Sequence, residues 1–300
     1  MIMVRYIGYA CINTSAGYST NKSCKLANCT PERLRELISS NLYGLLQVLK
    51  WNKEHNIFMF RISSVIIPFA SHEVNTVNWR EEYRDELAEI GNFIKENSMR
   101  VSMHPGQFVN INSVYPDIVK LSLKDLDWHG KFLDSLGMDS THRLIIHTGG
   151  VYGDKKSAIE RFIKVYENIR EDIKIRLTLE NDDRNYNVED VLYISKKCKI
   201  PIVFDYLHHQ VLNSGQKCDE DIEGILRRCF ATWNDKAGLP KIHCSSQKPG
   251  AKGGVHAETI NIDEFMEFYN SFKELDFDIM LETKDKEQSA LKILKRINDK

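Results

Sequence analysis

The sequence predicts an α/β fold, a single (β/α)8 TIM-like barrel taking in residues 1–300. Short β-type runs alternate with longer runs whose apolar residues recur three and four apart, and the alternation completes eight times. Eight such units in 300 residues point to closure, since barrels of this type run to roughly 250 residues and beyond as one unit. No GxGxxG follows an early strand, which disfavours an open dinucleotide-binding sheet.

The first strand is expected at Arg5–Ala10 and the first helix at Pro31–Glu54. Thr30 is placed to cap that helix and Pro31 suits its first turn, while Leu34, Leu37, Ile38, Leu45 and Leu49 make one apolar face to pack on the sheet. Strand two reads at Ile57–Ile62 with a helix at Arg80–Glu96, and strand three at Arg100–Met103 with Asp117–Leu136. Strand four reads at Arg143–Ile146 with Lys156–Ile169, and strand five at Ile175–Leu179 with Val188–Cys198. Strand six reads at Ile202–Phe204 with Asp219–Thr232, strand seven at Lys241–Cys244 with Ile262–Phe272, and strand eight at Asp278–Leu281 with Gln288–Ile297. No Pro/Gly-rich linker marks a boundary, and Ser245–Gly254 reads as a long mobile loop after strand seven.

With 42% hydrophobic and 28% charged residues, the composition is that of a soluble globular protein, and disorder is excluded. The start, Met-Ile-Met-Val-Arg-Tyr, lacks a basic region followed by an apolar one, and no run of 18 apolar residues follows. A cytoplasmic location and no membrane span are expected. Cys11, Cys24, Cys29, Cys198, Cys218, Cys229 and Cys244 are odd in number and form no CxxC pair, which argues against a disulfide framework or a zinc ribbon. The formal net charge of −1 excludes attachment to nucleic acid by bulk positive charge and leaves room for a local basic groove.

The chemistry is concentrated at the strand ends. Strand three ends at His104, strand four at His147, strand five at Glu180, strand six at Asp205 and strand eight at Glu282, and strand seven carries His243. In a barrel these ends converge on the face that holds the active site. His72 in the loop after strand two, His208 three residues beyond Asp205, and His256 after strand seven can reach the same face. A single Zn²⁺ takes about three or four protein ligands, so this larger pool predicts two or three divalent metals sharing bridging carboxylates, with Glu180 as a bridge. Such nitrogen-rich sites suit Mn²⁺, Zn²⁺ or Fe²⁺ better than Mg²⁺ alone. The reaction that fits is phosphate-ester hydrolysis, which needs charge neutralisation and an activated water. His55, His129 and His142 fall away from these ends and read as structural, and spacing does not separate His208 from His209.

The blocks Ile7-Gly8-Tyr9 with Asn13, His104-Pro105-Gly106-Gln107-Phe108, His147-Thr148-Gly149-Gly150, Leu179-Glu180-Asn181-Asp182, Asp205-Tyr206-Leu207-His208-His209, Lys241-Ile242-His243-Cys244-Ser245-Ser246 and Met280-Leu281-Glu282-Thr283-Lys284 together resemble the UV damage endonucleases of the endonuclease IV-like superfamily. The resemblance implies a barrel enzyme that nicks damaged duplex DNA on the 5′ side of UV photoproducts, leaving 3′-hydroxyl and 5′-phosphate ends. It implies up to three divalent ions, most often Mn²⁺, with Zn²⁺, Mg²⁺ or Co²⁺ as alternatives. The nine residues above match the ligand set, and Glu180, Lys241, His243 and Glu282 are the implied catalytic groups. A lysine matching Lys241 is carboxylated in similar enzymes. Gln107 and Phe108 match a probe pushed into the duplex, some relatives carrying Tyr in place of Phe108. Tyr9 and Asn13 match residues along the DNA groove, and given that enzyme class Lys248 and Lys252 read as further DNA contacts. Damaged double-stranded DNA is the implied partner, bound at the nucleoid, and no protein partner is inferable. An abasic-site endonuclease, a sugar isomerase and a non-cleaving damage sensor are the rival readings.

Overall fold

Side chains of a strand point alternately to its two faces, so each strand of a closed barrel sends every second residue into the lumen and the others to the helices. The computed structural model, which describes residues 6–213 and 221–299, follows that rule throughout. Eight parallel strands close in chain order: β1 (Ile7–Ala10), β2 (Met59–Ile62), β3 (Arg100–Met103), β4 (Leu144–His147), β5 (Leu177–Glu180), β6 (Ile202–Asp205), β7 (Lys241–Cys244) and β8 (Asp278–Leu281). The helices are α1 (Pro31–Glu54), α2 (Trp79–Glu82), α3 (Arg84–Glu96), α4 (Pro116–Ser135), α5 (Lys155–Glu167), α6 (Glu171–Lys174), α7 (Val188–Cys198), α8 (Tyr206–Leu212), α9 (Ile222–Phe230), α10 (Ile262–Ser271) and α11 (Glu287–Asn298).

The main core lies between strands and helices. Phe60, Val101, Leu144, Leu179, Phe204 and Ile279 point outward into it, and α1 contributes the predicted face of Leu34, Leu37, Ile38, Leu45 and Leu49, all buried. Thr30 caps α1 by accepting the Arg33 amide at 3.2 Å. The lumen holds a much smaller apolar layer, Ala10, Met59 and Met280. Gly8 is required there, because a Cβ on it would sit 2.8 Å from the Met59 Cβ.

Below that layer the lumen is polar. Arg100 pairs with Asp278 at 2.6 Å, and the guanidiniums of Arg100 and Arg143 lie 5.8 and 5.9 Å from the Trp233 ring centroid. Above it the lumen carries the predicted strand-end acids and histidines. The barrel wall is thus a charged base, a thin apolar belt and a polar mouth.

Several boundaries differ from the sequence reading. The helix expected from Arg80 breaks at Tyr83, whose φ of −118° and ψ of 26° separate α2 from α3. The strand expected from Ile175 starts at Leu177, because α6 turns the preceding chain and Ile175 and Arg176 serve as its exit. Arg5, Cys218 and Asp219 lie outside the described residues, and α9 is capped by Asp221, which accepts the Gly224 amide at 2.7 Å. The stretch 245–254, read as a mobile loop, is laced by its own bonds: Gln247 bridges antiparallel to His256, and its carboxamide bonds the carbonyls of Lys248 and Lys252 at 3.1 and 3.0 Å. The six described cysteines are free thiols. No described helix is long and apolar enough to cross a membrane.

Candidate metal centre

Parallel register sets the height of each ligand candidate. His147 stands opposite Glu180, and Asp205 opposite His243, so each pair sits side by side on neighbouring strands. His104 and Glu282 follow β3 and β8 directly, and the Glu282 amide donates to the Cys244 carbonyl at 3.0 Å. Glu180 is the hub. Its Oε2 lies 3.0 Å from His104 Nε2 and 3.7 Å from His147 Nε2, while its Oε1 lies 2.7 Å from His243 Nδ1 and 4.0 Å from His208 Nδ1.

Two groups of atoms follow, each close enough to surround one ion: His104, His147 and Glu180, and Glu180, Asp205, His243 and Glu282. Both contain Glu180. The second group extends outward through His208, 3.7 Å from Asp205, and His256, 3.9 Å from Glu282. The rings of His104 and His147 are 5.0 Å apart, and those of His208 and His256 are 6.1 Å apart. His243 Nε2, His147 Nδ1 and Asp205 Oδ2 are buried with no hydrogen-bond partner. Buried polar atoms are almost always partnered, so these unpaired nitrogen and oxygen atoms fit a resident cation.

The charges agree. Burial pushes the Glu180 carboxyl up, but His243 and His147 beside it, with hydrogen bonds from His104 and His243, hold it well below the usual carboxylate range. Asp205 goes the other way, raised by burial and by the charges of Glu180 and Glu282 more than His208 lowers it. Burial drives His208 down, but Asp205 and Glu180 outweigh it and lift its imidazolium to about 9. His104 is lowered to about 4 by burial. Three carboxylates crowded at this depth repel one another, and a divalent cation relieves that.

Backbone groups aim the rings. The His104 ring sits with Nδ1 3.1 Å from the Pro105 carbonyl, and the His256 ring with Nδ1 2.8 Å from the Glu282 carbonyl, turning Nε2 of each towards the cluster. Ligating histidines ordinarily fix their tautomer in this way. Asn181 grips Asp205 at both backbone ends, accepting its amide at 2.9 Å and donating to its carbonyl at 3.0 Å. Asp205 in turn caps α8 by accepting the His208 amide at 2.7 Å, which swings His208 over the cluster. His209 turns instead towards the Phe204 ring at 5.3 Å, which separates the two adjacent histidines.

Two of the expected site residues stand apart from the close groups. His72 lies on the turn after β2, its Nδ1 accepting the Val74 amide at 3.0 Å and its ring against Phe69, and it belongs to neither of the two close groups. Tyr9 is fully buried on the outward face of β1, its hydroxyl 2.6 Å from both Asn52 of α1 and Asn13, so it lines no groove surface. The parity of the strand decides this, since its neighbours Gly8 and Ala10 take the lumen. Asn13 is buried with it, and its Oδ1 accepts the amides of Ser15 and Ala16 at 2.9 and 2.6 Å.

Other candidates are accessible. Gln107 and Phe108 stand in the loop after His104, Phe108 69% exposed, its ring folded over Gly106. Gln107 lines a cavity of about 330 Å³ that reaches His147 and His208 and is also lined by Gly149, Asp182 and Arg184. Gly149 is held at φ 109°, and a Cβ there would meet Asn112 Oδ1 at 2.5 Å. Lys248 lies 3.6 Å from Glu258, and Lys252 is exposed on the same loop. Lys241 is in the lumen, 1% exposed, and forms no ion pair among the described residues. Burial and the nearby charges of Arg100, Arg61 and Arg143 hold its ammonium well below the ordinary lysine range.

Arg61 was not anticipated. It projects from β2 into the same mouth and pairs with Glu282. A charged residue on the inward parity of a short strand was the available signal. The strand ends that drew attention did so through histidine and acid alone.

The UV-endonuclease UvdE family profile matches residues 5–300 of this chain. The chain is 42% identical over 294 residues to a protein of Clostridium perfringens (strain 13 / Type A) named UV DNA damage endonuclease, covering 98% of this chain and 71% of that one. It superposes on the crystal structure of SacUVDE with a TM-score of 0.93, at 42% identity and 99% coverage of both chains. Endonuclease IV from Thermus thermophilus shares the fold alone, with a TM-score of 0.62 at 12% identity and coverage of 99% and 100%. With the barrel, the convergent candidate ligands and this family match in hand, the chain belongs to the UV-endonuclease UvdE family.

Proposed function

We propose that this chain is a divalent-metal-dependent DNA endonuclease that cuts duplex DNA on the 5′ side of UV photoproducts. The observation that carries the reading is the pair of ligand groups joined at Glu180, set in the mouth of a UvdE-family barrel. His104, His147 and Glu180 would hold one ion, and Glu180, Asp205, His243 and Glu282 another, with His208 and His256 beside them. His72 is the remaining ligand candidate for a third. Mn²⁺ suits this mixture of imidazole and carboxylate. When bound, such ions activate water and stabilise charge on the oxygens of a phosphodiester in an in-line displacement.

The protein's own residues do the rest. Glu180, held as a carboxylate at neutral pH, offers one oxygen to each ligand group and so fixes the spacing between them. Lys241, whose ammonium form is disfavoured by burial and by Arg100, Arg61 and Arg143, would as the amine add carbon dioxide with release of a proton to solvent, and the three guanidiniums would balance the carbamate so formed. Gln107 and Phe108 fill the stack vacated by a damaged base step, and the cavity behind them receives what is displaced. Lys248 and Lys252 meet backbone phosphates.

The test is to incubate the Mn²⁺-loaded protein with a duplex carrying one defined photodimer, beside undamaged and abasic duplexes and a ketose sugar. One nick 5′ to the dimer is expected, with 3′-hydroxyl and 5′-phosphate ends. Sugar epimerisation without nicking would overturn the reading. A 3′-phosphate or a β-elimination fragment would contradict the hydrolytic step.

A further inference from the structure

Arg61 is a buried cation placed where the fold otherwise gathers anions and imidazoles. It sits on β2 in register with Ala10 of β1 and Ser102 of β3, and its side chain is 12% exposed. Met59 and Met280 occupy neighbouring lumen positions, so the space around it accepts an apolar chain of similar length. A permanent positive charge beside a cation site weakens that site by simple Coulomb repulsion. Its presence therefore calls for a function that an apolar residue would not perform.

The carboxylate it holds supplies one. Arg61 Nη1 engages Oε1 of Glu282, the oxygen that also lies 3.3 Å from His243 Nδ1. Glu282 Oε2 faces the other way, 3.9 Å from His256 Nε2. Arg61 Nε is itself buried without a hydrogen-bond partner, so Glu282 is the group that anchors this guanidinium in the mouth. A carboxylate free at both oxygens can chelate one ion, whereas one whose Oε1 already accepts a charge-assisted bond from a guanidinium favours a single bond through Oε2. Catalytic ions differ from structural ones in keeping a coordination position open for water or substrate.

We propose that Arg61 is a positioning residue that holds Glu282 by Oε1, limits it to one metal bond on the His256 side, and thereby keeps a coordination position open at the expense of metal affinity. The inference rests on the metal-dependent reading above. It makes a prediction of opposite sign to that of a scaffold residue, since removing Arg61 strengthens metal binding while it weakens cutting.

The experiment compares wild type with Arg61→Met and Arg61→Gln. Mn²⁺ binding is followed by the electron paramagnetic resonance signal of the free ion, Mn²⁺-induced change in Tm by thermal unfolding, and single-turnover nicking on a photodimer duplex at saturating Mn²⁺. Arg61→Met is expected to bind Mn²⁺ about tenfold more tightly or better, to show a larger rise in Tm with Mn²⁺ than wild type, and to nick about tenfold more slowly or worse. Arg61→Gln, whose amide can still donate to Oε1, is expected to bind Mn²⁺ more tightly than wild type while keeping more of the nicking rate than Arg61→Met. It also carries the affinity test if Arg61→Met does not fold. Loss of affinity and nicking together in the folded variants would make Arg61 a scaffold and overturn the proposal, as would unchanged affinity. A wild-type chain that takes up no Mn²⁺ overturns the metal reading and this inference with it, whereas wild-type binding without the gain in the variants overturns the inference alone.

Discussion

Glu180 is 1% exposed at the end of β5, with each carboxylate oxygen turned to a different pair of histidines. Glutamine keeps the shape but replaces one ligating oxygen with a nitrogen that carries two protons. Glu180→Gln should therefore lose at least one equivalent of Mn²⁺ and nick about a hundredfold more slowly or worse, while far-UV circular dichroism stays that of the parent. Full metal content with full nicking in that variant would remove Glu180 from the bridging role. This residue was legible in the sequence because an acid at a strand end stands out from an apolar run. Arg61 was not, since its partner Glu282 is 221 positions away and only closure of the barrel brings them together. Tyr9 shows the reverse case: its position in a motif suggested surface, and one step of strand parity put its ring against Phe60 and its hydroxyl against α1.

At the scale of elements, the loop after β3 couples a candidate ligand to an exposed aromatic within a few residues, from His104 at its base to Phe108 at its tip. Unstacking a base step costs on the order of a few kcal/mol, less where the duplex is already open. Gln107→Ala combined with Phe108→Ala should keep its Mn²⁺ yet lose most nicking of a photodimer in matched duplex, with a smaller loss when the lesion faces a mismatch or gap. Single-turnover rates on the two substrates decide it, and an equal loss on both would rule out the wedge. A second element, α8, was invisible to hydrophobic periodicity. It is seven residues long, two of them histidines at its centre, and its start is set by a side chain already counted as a metal ligand, Asp205. The place of His208 three residues beyond Asp205 was legible; that the chain there is helical, and so points His208 and His209 in different directions, was not.

For the whole molecule, the polar base of the barrel sets a pH response separate from the mouth. His142 packs under β3, its Nδ1 3.1 Å from the Val101 amide, and burial, opposed only in part by Asp139 and the Val101 backbone, lowers it to about 4. The unfolded residue titrates near 6.5, so between these values the unfolded chain binds the additional proton. The contribution is complete above about pH 6.5 and is lost as pH falls towards about 4, by on the order of 1–3 kcal/mol. Urea unfolding of the parent and His142→Gln at about pH 7 and about pH 4.5 should show the parent losing more stability over that interval, and parallel losses would discount His142. The barrel, the order and approximate extent of its strands, and most of the candidate groups at its mouth could be read from the chain alone, because these depend on local periodicity and on the side chain at each strand's end. Folding in three dimensions settled which of those groups meet: Glu180 shared between two sets, His208 rather than His209 beside them, His72 in neither set, and Arg61 in among the candidates. The cause is closure, which converts eight local parities into one ring whose distances depend on register between strands and not on the residues of any one of them.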